Sequence, residues 1–388
     1  MRWLGLLWLA LGTACGDTSR ASTPQTPAGG TNGGGAAGGS AGSGSGGNDG
    51  GISLGCLDAN GVDDDGDGVS ETDGDCDDCE ALVNPGAFDV AGNGVDEDCS
   101  GKPDDEPSGC DGPLPLAATD PVDLARAIGL CRLTTADAKG GERTWGLLSA
   151  KLTETDGTSP TDPLFSGILV GYGKNNHPRE GKQLLALSSG TARGPTDPGS
   201  ISPSGNGYAR PELESAYPPG FPQNAQGCPE PFTQTANDSV RLELEIRVPT
   251  NANSLAFDFS FFTTEWPEWI CSEFNDTFVS LLETQAPLDP SHHGNVSFDA
   301  AGNPVSINVS FFGITSGPVL AGTWMAGGLG GGTDWLTTEA PVVPGETIRL
   351  SFAIWDTSDH KFDSLVLLDA FRWSVKTVPM PETRPTPR

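Results

Sequence analysis

The sequence predicts a mainly β protein, in which an antiparallel β-sandwich or jelly-roll-like domain with one short helix follows a small Asp-rich loop module. The clearest strands are residues 240–248 and 255–261, where apolar side chains occupy every second position. Other short apolar segments are separated by turns rich in Gly and Pro, and this pattern favours a sandwich or barrel. These further strands are expected at residues 145–152, 168–172, 184–188, 278–282, 348–355 and 365–373.

A hairpin and a helix complete the expected elements. Segments 296–298 and 305–309 flank a turn made of Asp, Ala, Gly, Asn and Pro. The helix is expected at residues 119–129, because Asp120 suits the N-cap, a proline follows it in the first turn, and Gly129 can end the helix.

The charge balance limits the partners of the chain. Of its 388 residues, 52 are acidic and 21 are basic, which gives a formal net charge of −31. Nucleic acid is therefore excluded as a natural partner, because phosphate binding needs clustered Lys and Arg. An anionic membrane surface is disfavoured for the same reason, whereas bound cations are favoured.

Residues 1–15 have the features of a secretory signal. Arg2 precedes an apolar run at residues 3–11, and small residues then lead to Cys15. This ending resembles the lipobox of bacterial lipoproteins, in which the Cys is lipidated. The resemblance implies an exported lipoprotein at the outer membrane or cell surface of a Gram-negative bacterium, and ordinary secretion is the alternative. Residues 16–55 are rich in Gly and Ser and predict a disordered linker, so that only the lipid contacts the membrane.

The cysteine count predicts disulfide bonds. The chain has 9 Cys, and eight remain when Cys15 is set aside. An even number of cysteines in an exported chain implies disulfides, although spacing alone leaves their pairing open. The candidates are Cys56, Cys76, Cys79, Cys99, Cys110, Cys131, Cys228 and Cys271.

An acidic segment at residues 56–106 predicts a calcium site. Asp63, Asp65 and Asp67 alternate and are followed by Gly68, which is the opening of an EF-hand-type loop. The segment contains no His or Met, and ligation by oxygen alone favours Ca²⁺ over copper or zinc. A solvated acidic spacer is the alternative. The expected ligands are Asp63, Asp65, Asp67, Asp73 and Asp75, followed by Asp77, Asp78, Asp96 and Asp98.

Two families share features with this segment. The run of alternating Asp followed by Gly and a Cys resembles type 3 thrombospondin repeats, where calcium and disulfides replace a hydrophobic core. Residues 56–101, with Gly-Asp-Cys-Asp-Asp, Asn-Pro-Gly-Ala and Gly-Val-Asp-Glu-Asp-Cys-Ser-Gly, also resemble the metal-binding motif module of bacterial surface proteins.

The remainder of the chain resembles the choice-of-anchor L domain. The similarity rests on acid–aromatic–Pro–acid–aromatic at residues 265–269, Cys-Ser at 271–272 and aromatic-Asn-Asp-x-Phe at 274–278. Segments 352–359 and 363–373 extend it, and the whole similarity covers residues 114–375. The resemblance implies display on the cell surface through differing anchors, and it implies no established biochemical activity.

The same motif contains the main candidate for chemistry. Its Trp rings could stack on sugars while its carboxylates bind hydroxyls, and two of the carboxylates could form a glycosidase pair. The alternative is a loop packed on the rim of the sandwich and held by Cys271, in which Asn275 and Asp276 form a turn or hold a structural calcium. By analogy with carbohydrate-binding jelly rolls, Asp363 and Asp369 could hold a second calcium. The candidate residues in the motif are Glu265, Trp266, Glu268, Trp269, Glu273, Phe274, Asn275 and Asp276.

An enzyme is not expected. The four His residues lie in polar, turn-like stretches, and the sequence has no His-Glu-x-x-His motif and, outside the Gly-rich linker, no Gly-x-Ser-x-Gly elbow. The favoured function is a non-catalytic, surface-displayed, calcium-binding lipoprotein whose sandwich binds a polysaccharide or another surface protein. A glycan hydrolase that uses residues 265–276 and a purely structural envelope protein are the alternatives. The expected organisation is a signal at 1–15, a linker at 16–55, the Asp-rich module at 56–106, the sandwich at 107–378 and a Pro-rich tail at 379–388.

Overall fold

The computed structural model describes residues 61–105, 110, 112–158, 162–203, 213–308 and 317–387. The signal sequence, Cys15, the linker and Cys56 lie outside these ranges. Within them, two antiparallel sheets and one short helix confirm the predicted mainly β fold class. No helix in the described part of the chain is long and apolar enough to cross a membrane.

The helix α1 spans Pro121–Arg126, and the strands follow it in chain order. Short 3₁₀ turns lie at Glu71–Asp73, Gly140–Glu142, Pro290–His292 and Pro318–Leu320. The strands are β1 (Gly146–Thr153), β2 (Ser166–Leu169), β3 (Leu184–Ser188), β4 (Glu214–Ala216), β5 (Thr235–Arg247), β6 (Ser254–Thr263), β7 (Thr277–Glu283), β8 (Val305–Ser306), β9 (Gly331–Gly332), β10 (Leu336–Pro341), β11 (Thr347–Thr357), β12 (Ser364–Ser374) and β13 (Glu382–Pro385).

The strands form two sheets. The first has the order β1-β5-β11-β7-β8, with β4 paired to β5, and the second has the order β13-β10-β6-β12-β3-β2, with β9 paired to β6. The long central strands are β5 and β11 in the first sheet and β6 and β12 in the second. Each of these pairs is antiparallel, as between Leu244 and Leu350 or between Phe259 and Leu368.

Aromatic side chains join the two sheets. Phe257 of β6 meets Phe352 of β11 with ring centroids 5.0 Å apart, and Phe259 of β6 meets Phe278 of β7 at 5.3 Å. All four rings are at most 1% exposed. This contact between facing sheets is the core of a sandwich.

Strand β6 is buried on both faces. The alternating pattern predicts one wet face, yet all ten of its residues are buried. The outer face is covered because Phe262 packs against Tyr172 at 5.2 Å, in a second cluster that includes Leu320 and Met325.

The helix and the chain end differ in extent from the prediction. Asp120 caps the helix as expected, since its Oδ1 accepts a hydrogen bond from the Val122 amide at 2.9 Å, but the helix ends at Arg126. Residues 296–298 form only an isolated bridge, between Phe298 and Pro304, in place of a full strand. The sequence assigned the last ten residues to a tail, whereas β13 pairs with β10 and extends the second sheet.

The predicted disulfides are present. Cys76–Cys99, Cys110–Cys131 and Cys228–Cys271 are bonded, and Cys79 is also disulfide-bonded. The first bond closes part of the acidic segment, and the second joins the chain before α1 to the chain after it. The third holds the motif at residues 265–276 against a loop.

The acidic segment packs against the sandwich. The Asn251 side chain accepts a hydrogen bond from the Phe88 amide at 3.0 Å and donates to the Phe88 carbonyl at 2.8 Å. The Thr250 amide donates to the Gly86 carbonyl at 2.9 Å, and Arg132 forms an ion pair with Asp98 at 2.6 Å. The segment thus shares an interface with the sandwich, although the sequence suggests two separate modules.

Replacing Asn251 with Ala is expected to destabilise the protein by about 2–4 kcal/mol, because both backbone groups of Phe88 lose their partner in a buried position. The measurement is urea unfolding followed by far-UV circular dichroism. Asn253→Ala is the matched control, since the Asn253 side chain makes one exposed hydrogen bond to the Val375 carbonyl. Equal losses for both variants would contradict the assignment of Asn251 as the anchor.

Candidate functional site

The loop at residues 63–68 is shaped by its own carboxylates. Asp63 Oδ1 accepts a hydrogen bond from the Gly66 amide at 2.7 Å, and its Oδ2 accepts one from the Gly68 amide at 2.9 Å. Gly66 and Gly68 have φ values of 84° and 95°, in the left-handed region that glycine tolerates best. One oxygen of Asp65 accepts from the Asp67 amide, and one oxygen of Asp67 accepts from the Val69 amide.

These turns leave carboxylate oxygens without partners. The second oxygens of Asp65, Asp67 and Asp75 are buried and receive no hydrogen bond from any donor in the described ranges. Asp75 is only 6% exposed, and its other oxygen accepts from the Asp77 amide at 2.8 Å. A buried carboxylate oxygen without a donor is costly unless a cation or a proton compensates it.

The residues that carry these oxygens belong to two overlapping groups of carboxylates. Ligand atoms of Asp63, Asp65 and Asp67 lie within 4.8 Å of one another, and so do those of Asp65, Asp75 and Asp78. Asp65 belongs to both groups. Hard carboxylate oxygens gathered in this way are the ligands that Ca²⁺ prefers.

Several carboxyl groups in these two groups have raised pKa values. Burial raises the pKa of Asp75 to about 6, and the charges of Asp67 and Asp65 add to the shift. Burial also raises the pKa values of Asp65 and Asp67. The carboxylates therefore repel one another when no cation is bound, and a divalent cation would reverse the shifts.

The structure brings together five of the nine predicted calcium ligands here. They are Asp63, Asp65, Asp67, Asp75 and Asp78. Asp73 and Asp77 are exposed and belong to neither group.

Asp96 and Asp98 form a third group with Asp89, which the sequence analysis did not single out. The oxygens of Asp89 accept from the Asp98 amide at 3.1 Å and from the Asp105 amide at 2.9 Å, and Asp98 pairs with Arg132. This group is already satisfied by hydrogen bonds and a cationic side chain. Asp89 lies between the Asn-Pro-Gly-Ala and Gly-Val-Asp-Glu-Asp segments, and no local spacing in the sequence links it to Asp96.

The acidic–aromatic motif at residues 265–276 is packed into the sandwich. Glu265 and Asp276 are each 1% exposed. Glu265 Oε2 accepts from the Asp276 amide at 3.3 Å. Asp276 accepts from the Thr357 amide at 3.1 Å and from the Ser364 hydroxyl at 2.7 Å. These carboxylates connect β7 with the ends of β11 and β12, and neither faces solvent.

The aromatic residues of the motif pack on neighbouring side chains. Trp269 contacts Phe274 with ring centroids 5.1 Å apart and Phe362 at 6.2 Å, and Trp266 is half-buried against the main core. The Asn275 side chain is 3% exposed and accepts from Asn308 at 3.0 Å. Glu268 is exposed and Glu273 is partly buried. This arrangement corresponds to a loop packed on the rim of the sandwich, which was one of the two interpretations of the sequence.

Residues 187–372 match the family model of the choice-of-anchor L domain. The match contains the whole 265–276 motif together with β5 to β11 and most of β12. Choice-of-anchor domains occur on cell-surface proteins, so the match indicates a surface-associated β-domain, and the family is not an enzyme family. The match begins at residue 187, so α1, β1 and β2 lie outside it, although the similarity expected from the sequence began at residue 114.

The other comparisons add little. No curated protein matches the chain. Among solved structures, the enzymatically active domain of tailspike protein 4 of bacteriophage CBA120 is similar at 10% sequence identity with a TM-score of 0.21. The alignment covers 58% of this chain and 19% of the tailspike chain. So low a TM-score does not indicate a shared fold.

The choice-of-anchor L region contains a buried acid that sequence reasoning missed. Asp356 is 0% exposed, and neither of its oxygens receives a hydrogen bond from a donor in the described structure. Its carboxyl lies close enough to that of Asp276 for the two to share a proton. Burial and the charges of Asp276 and Asp363 raise the pKa of Asp356 well above its usual range, and burial raises the pKa of Asp276 to about 7.

The second calcium suggested for the choice-of-anchor L region is not assembled. Asp363 precedes β12 and Asp369 lies within it, six positions later, so at about 3.3 Å per residue they are about 20 Å apart. Asp369 Oδ2 accepts from the Arg179 amide at 2.5 Å and from the Glu180 amide at 3.3 Å. Both oxygens of Asp276 are likewise engaged. The structure therefore corrects the idea that one ion joins Asp363 to Asp369.

Proposed function

We propose that this protein is an exported, surface-displayed binding protein, in which the acidic segment holds calcium and the sandwich presents a recognition surface. The observation that carries the calcium assignment is Asp75, whose buried Oδ2 has no hydrogen-bond donor in the described part of the chain and whose carboxylate lies in one group with those of Asp65 and Asp78. Export and lipid anchoring at Cys15 are part of the proposal and rest on the sequence.

The donor set supports calcium over other ions. The two groups offer carboxylate oxygens only, and the neighbouring Cys76, Cys79 and Cys99 are disulfide-bonded. Zinc and copper favour thiolate or imidazole ligands, which these groups lack. Magnesium requires a compact octahedral site, whereas Ca²⁺ accepts six to eight oxygens in flexible geometry.

The proposal assigns no catalytic step to the chain. A glycosidase needs two carboxyl groups beside the scissile bond. Of the four acids in the 265–276 cluster, Glu265 and Asp276 are each 1% exposed and hold backbone and hydroxyl groups of the sandwich. The burial of this pair supports binding over hydrolysis.

The proposal is tested by calorimetric titration of the EDTA-stripped protein with calcium. Saturable binding is expected at about 10⁻⁴–10⁻³ M, the range of extracellular calcium modules. The same titration with magnesium is the control and is expected to be at least about tenfold weaker, because the loops supply no rigid octahedral cage. Absence of calcium-specific heat up to about 10 mM would reduce the segment to an acidic spacer.

A further inference from the structure

The acidic segment has two parts that are held in the fold by different means. Residues 83–89, called the buried stretch below, are all buried, and Phe88 belongs to the main hydrophobic core. Residues 61–78, called the calcium loop below, carry the carboxylates proposed to bind calcium. Three residues of the calcium loop are buried, and all three are polar: Ser70, Asp75 and Asp78. Apolar burial therefore stabilises the buried stretch but not the calcium loop.

The calcium loop packs against a turn of the sandwich. The carbonyl oxygen of Asp73 lies so close to Gly141 that a Cβ atom at that glycine would collide with it. Gly74 contacts the same place, because a Cβ atom on Gly74 would lie 3.7 Å from the Cα of Gly141. Gly141 belongs to the 3₁₀ turn Gly140–Glu142, which precedes β1. Since Asp73 and Gly74 come directly before Asp75, this contact and the carboxylate group share one short stretch of backbone.

The sandwich itself holds the turn in place. Arg247, at the end of β5, is 6% exposed. Its guanidinium donates to the Thr134 hydroxyl and the Thr144 carbonyl, each at 3.1 Å, and to the Thr135 carbonyl at 2.9 Å. These hydrogen bonds fix both ends of the loop at residues 134–144, which contains the turn. The surface that receives the calcium loop is therefore formed without any contribution from the acidic segment.

The docked calcium loop gathers negative charge that the sandwich does not compensate. Ligand atoms of Asp65, Asp75 and Asp78 lie within 4.8 Å of one another, and none of the three forms an ion pair with a Lys or Arg in the described ranges. Without a cation these carboxylates repel one another. The calcium loop can relieve the repulsion by moving away from the turn, because no apolar burial opposes the movement. A bound divalent cation removes the repulsion and favours the docked position.

We propose that calcium controls the docking of the calcium loop on the turn Gly140–Glu142. With calcium bound, the loop lies on the turn as the structure shows; without calcium, the loop leaves the turn while the buried stretch stays in the sandwich. The inference rests on the proposed calcium binding and adds what the ion regulates. Because coupling between two equilibria is reciprocal, docking must strengthen calcium binding by the same factor by which calcium favours docking.

The test is hydrogen exchange of the intact chain in EDTA and in about 5 mM calcium, followed by mass spectrometry of peptides from residues 134–146. These residues contain none of the proposed calcium ligands, so slower exchange there reports docking and not the ordering of the calcium loop around the ion. Exchange at residues 139–142 is expected to slow by at least about threefold with calcium. The buried stretch should change less, because its burial does not depend on the ion.

A variant on the sandwich side tests the contact itself. Gly141→Ala places a methyl group where the Asp73 carbonyl lies and should prevent docking. Exchange at residues 139–142 should then no longer respond to calcium. Calcium should still bind, with an affinity about fivefold or more lower, because the contribution of docking is lost. Glu142→Ala is the matched control, since Glu142 is exposed in the same turn and its replacement should leave the calcium response unchanged.

A calcium titration of the same sample separates failure of this inference from failure of the proposed function. Calcium heat with unchanged exchange at residues 139–142 would overturn the inference and retain the calcium site. Equal protection of the turn and the buried stretch would also overturn it, because calcium would then stabilise the whole fold and not one contact. So would a calcium response that persists in Gly141→Ala. Absence of calcium heat would overturn the proposed function and this inference together.

Discussion

Asp75→Asn is expected to abolish the calcium-dependent rise in melting temperature while making the calcium-free protein more stable. Without a cation, the pKa of Asp75 is raised to about 6 by burial and by its acidic neighbours, so at neutral pH its charge destabilises the fold. Asn removes that charge and also removes a calcium ligand. Calcium at 10 to 100 times its dissociation constant should stabilise the unsubstituted protein by about 1–3 kcal/mol, which corresponds to a shift of several degrees.

The measurement is differential scanning calorimetry of both proteins with EDTA and with calcium. Asp77→Asn is the matched control, because Asp77 is exposed and lies outside the two carboxylate groups, and it should keep the calcium response. A residue with only a structural role would lower stability under both conditions. An undiminished calcium response in Asp75→Asn would contradict the assignment.

Asp356→Asn is expected to raise stability by about 1–3 kcal/mol near pH 8 and to change it little near pH 5. Asp356 and Asp276 are buried together, and burial raises both pKa values, that of Asp276 to about 7. Near pH 5 one shared proton satisfies the pair. Near pH 8 the buried pair carries more negative charge. The Asn substitution removes one of its two carboxyl groups and therefore reduces this charge.

The direction of the change in stability with pH follows from proton binding. Between the unfolded pKa of about 3.9 and the folded value of about 7, the folded protein binds more protons than the unfolded chain. Stability therefore falls as the pH rises through this interval, and Asp369, whose pKa is also raised to about 7, adds to the slope. The check is urea unfolding across this range, with the exposed Asp137→Asn as control. A variant that loses stability near pH 8 would show that Asp356 is held by an interaction other than the shared proton.

Local rules predicted much of the fold. The alternation in β5, the N-cap at Asp120 and the Asp-Gly spacing at residues 63–68 each correspond to an element or turn in the structure. These features depend on residues within a few positions of one another, so the sequence displays them directly.

The missed features depend on long-range contacts. Strand β6 is covered on its second face by a cluster that includes Leu320 and Met325, more than fifty positions later in the chain. A folded loop brings Asp89 close to Asp96. The sequence predicted a strand that ends at residue 355, just before Asp356, whereas β11 continues to Thr357 and includes Asp356. The partners of the cysteines likewise come from distant segments, and local sequence patterns contain no signal for them.

Backbone hydrogen exchange of residues 61–105, followed by mass spectrometry with and without calcium, tests the central claim most directly. Calcium at the Asp65–Asp75–Asp78 group should slow exchange at residues 63–78 by about tenfold or more, with smaller protection near Phe88, where the segment packs against the sandwich. Identical exchange in both conditions would contradict the account, because an ion that binds these carboxylates must stabilise the loop that presents them.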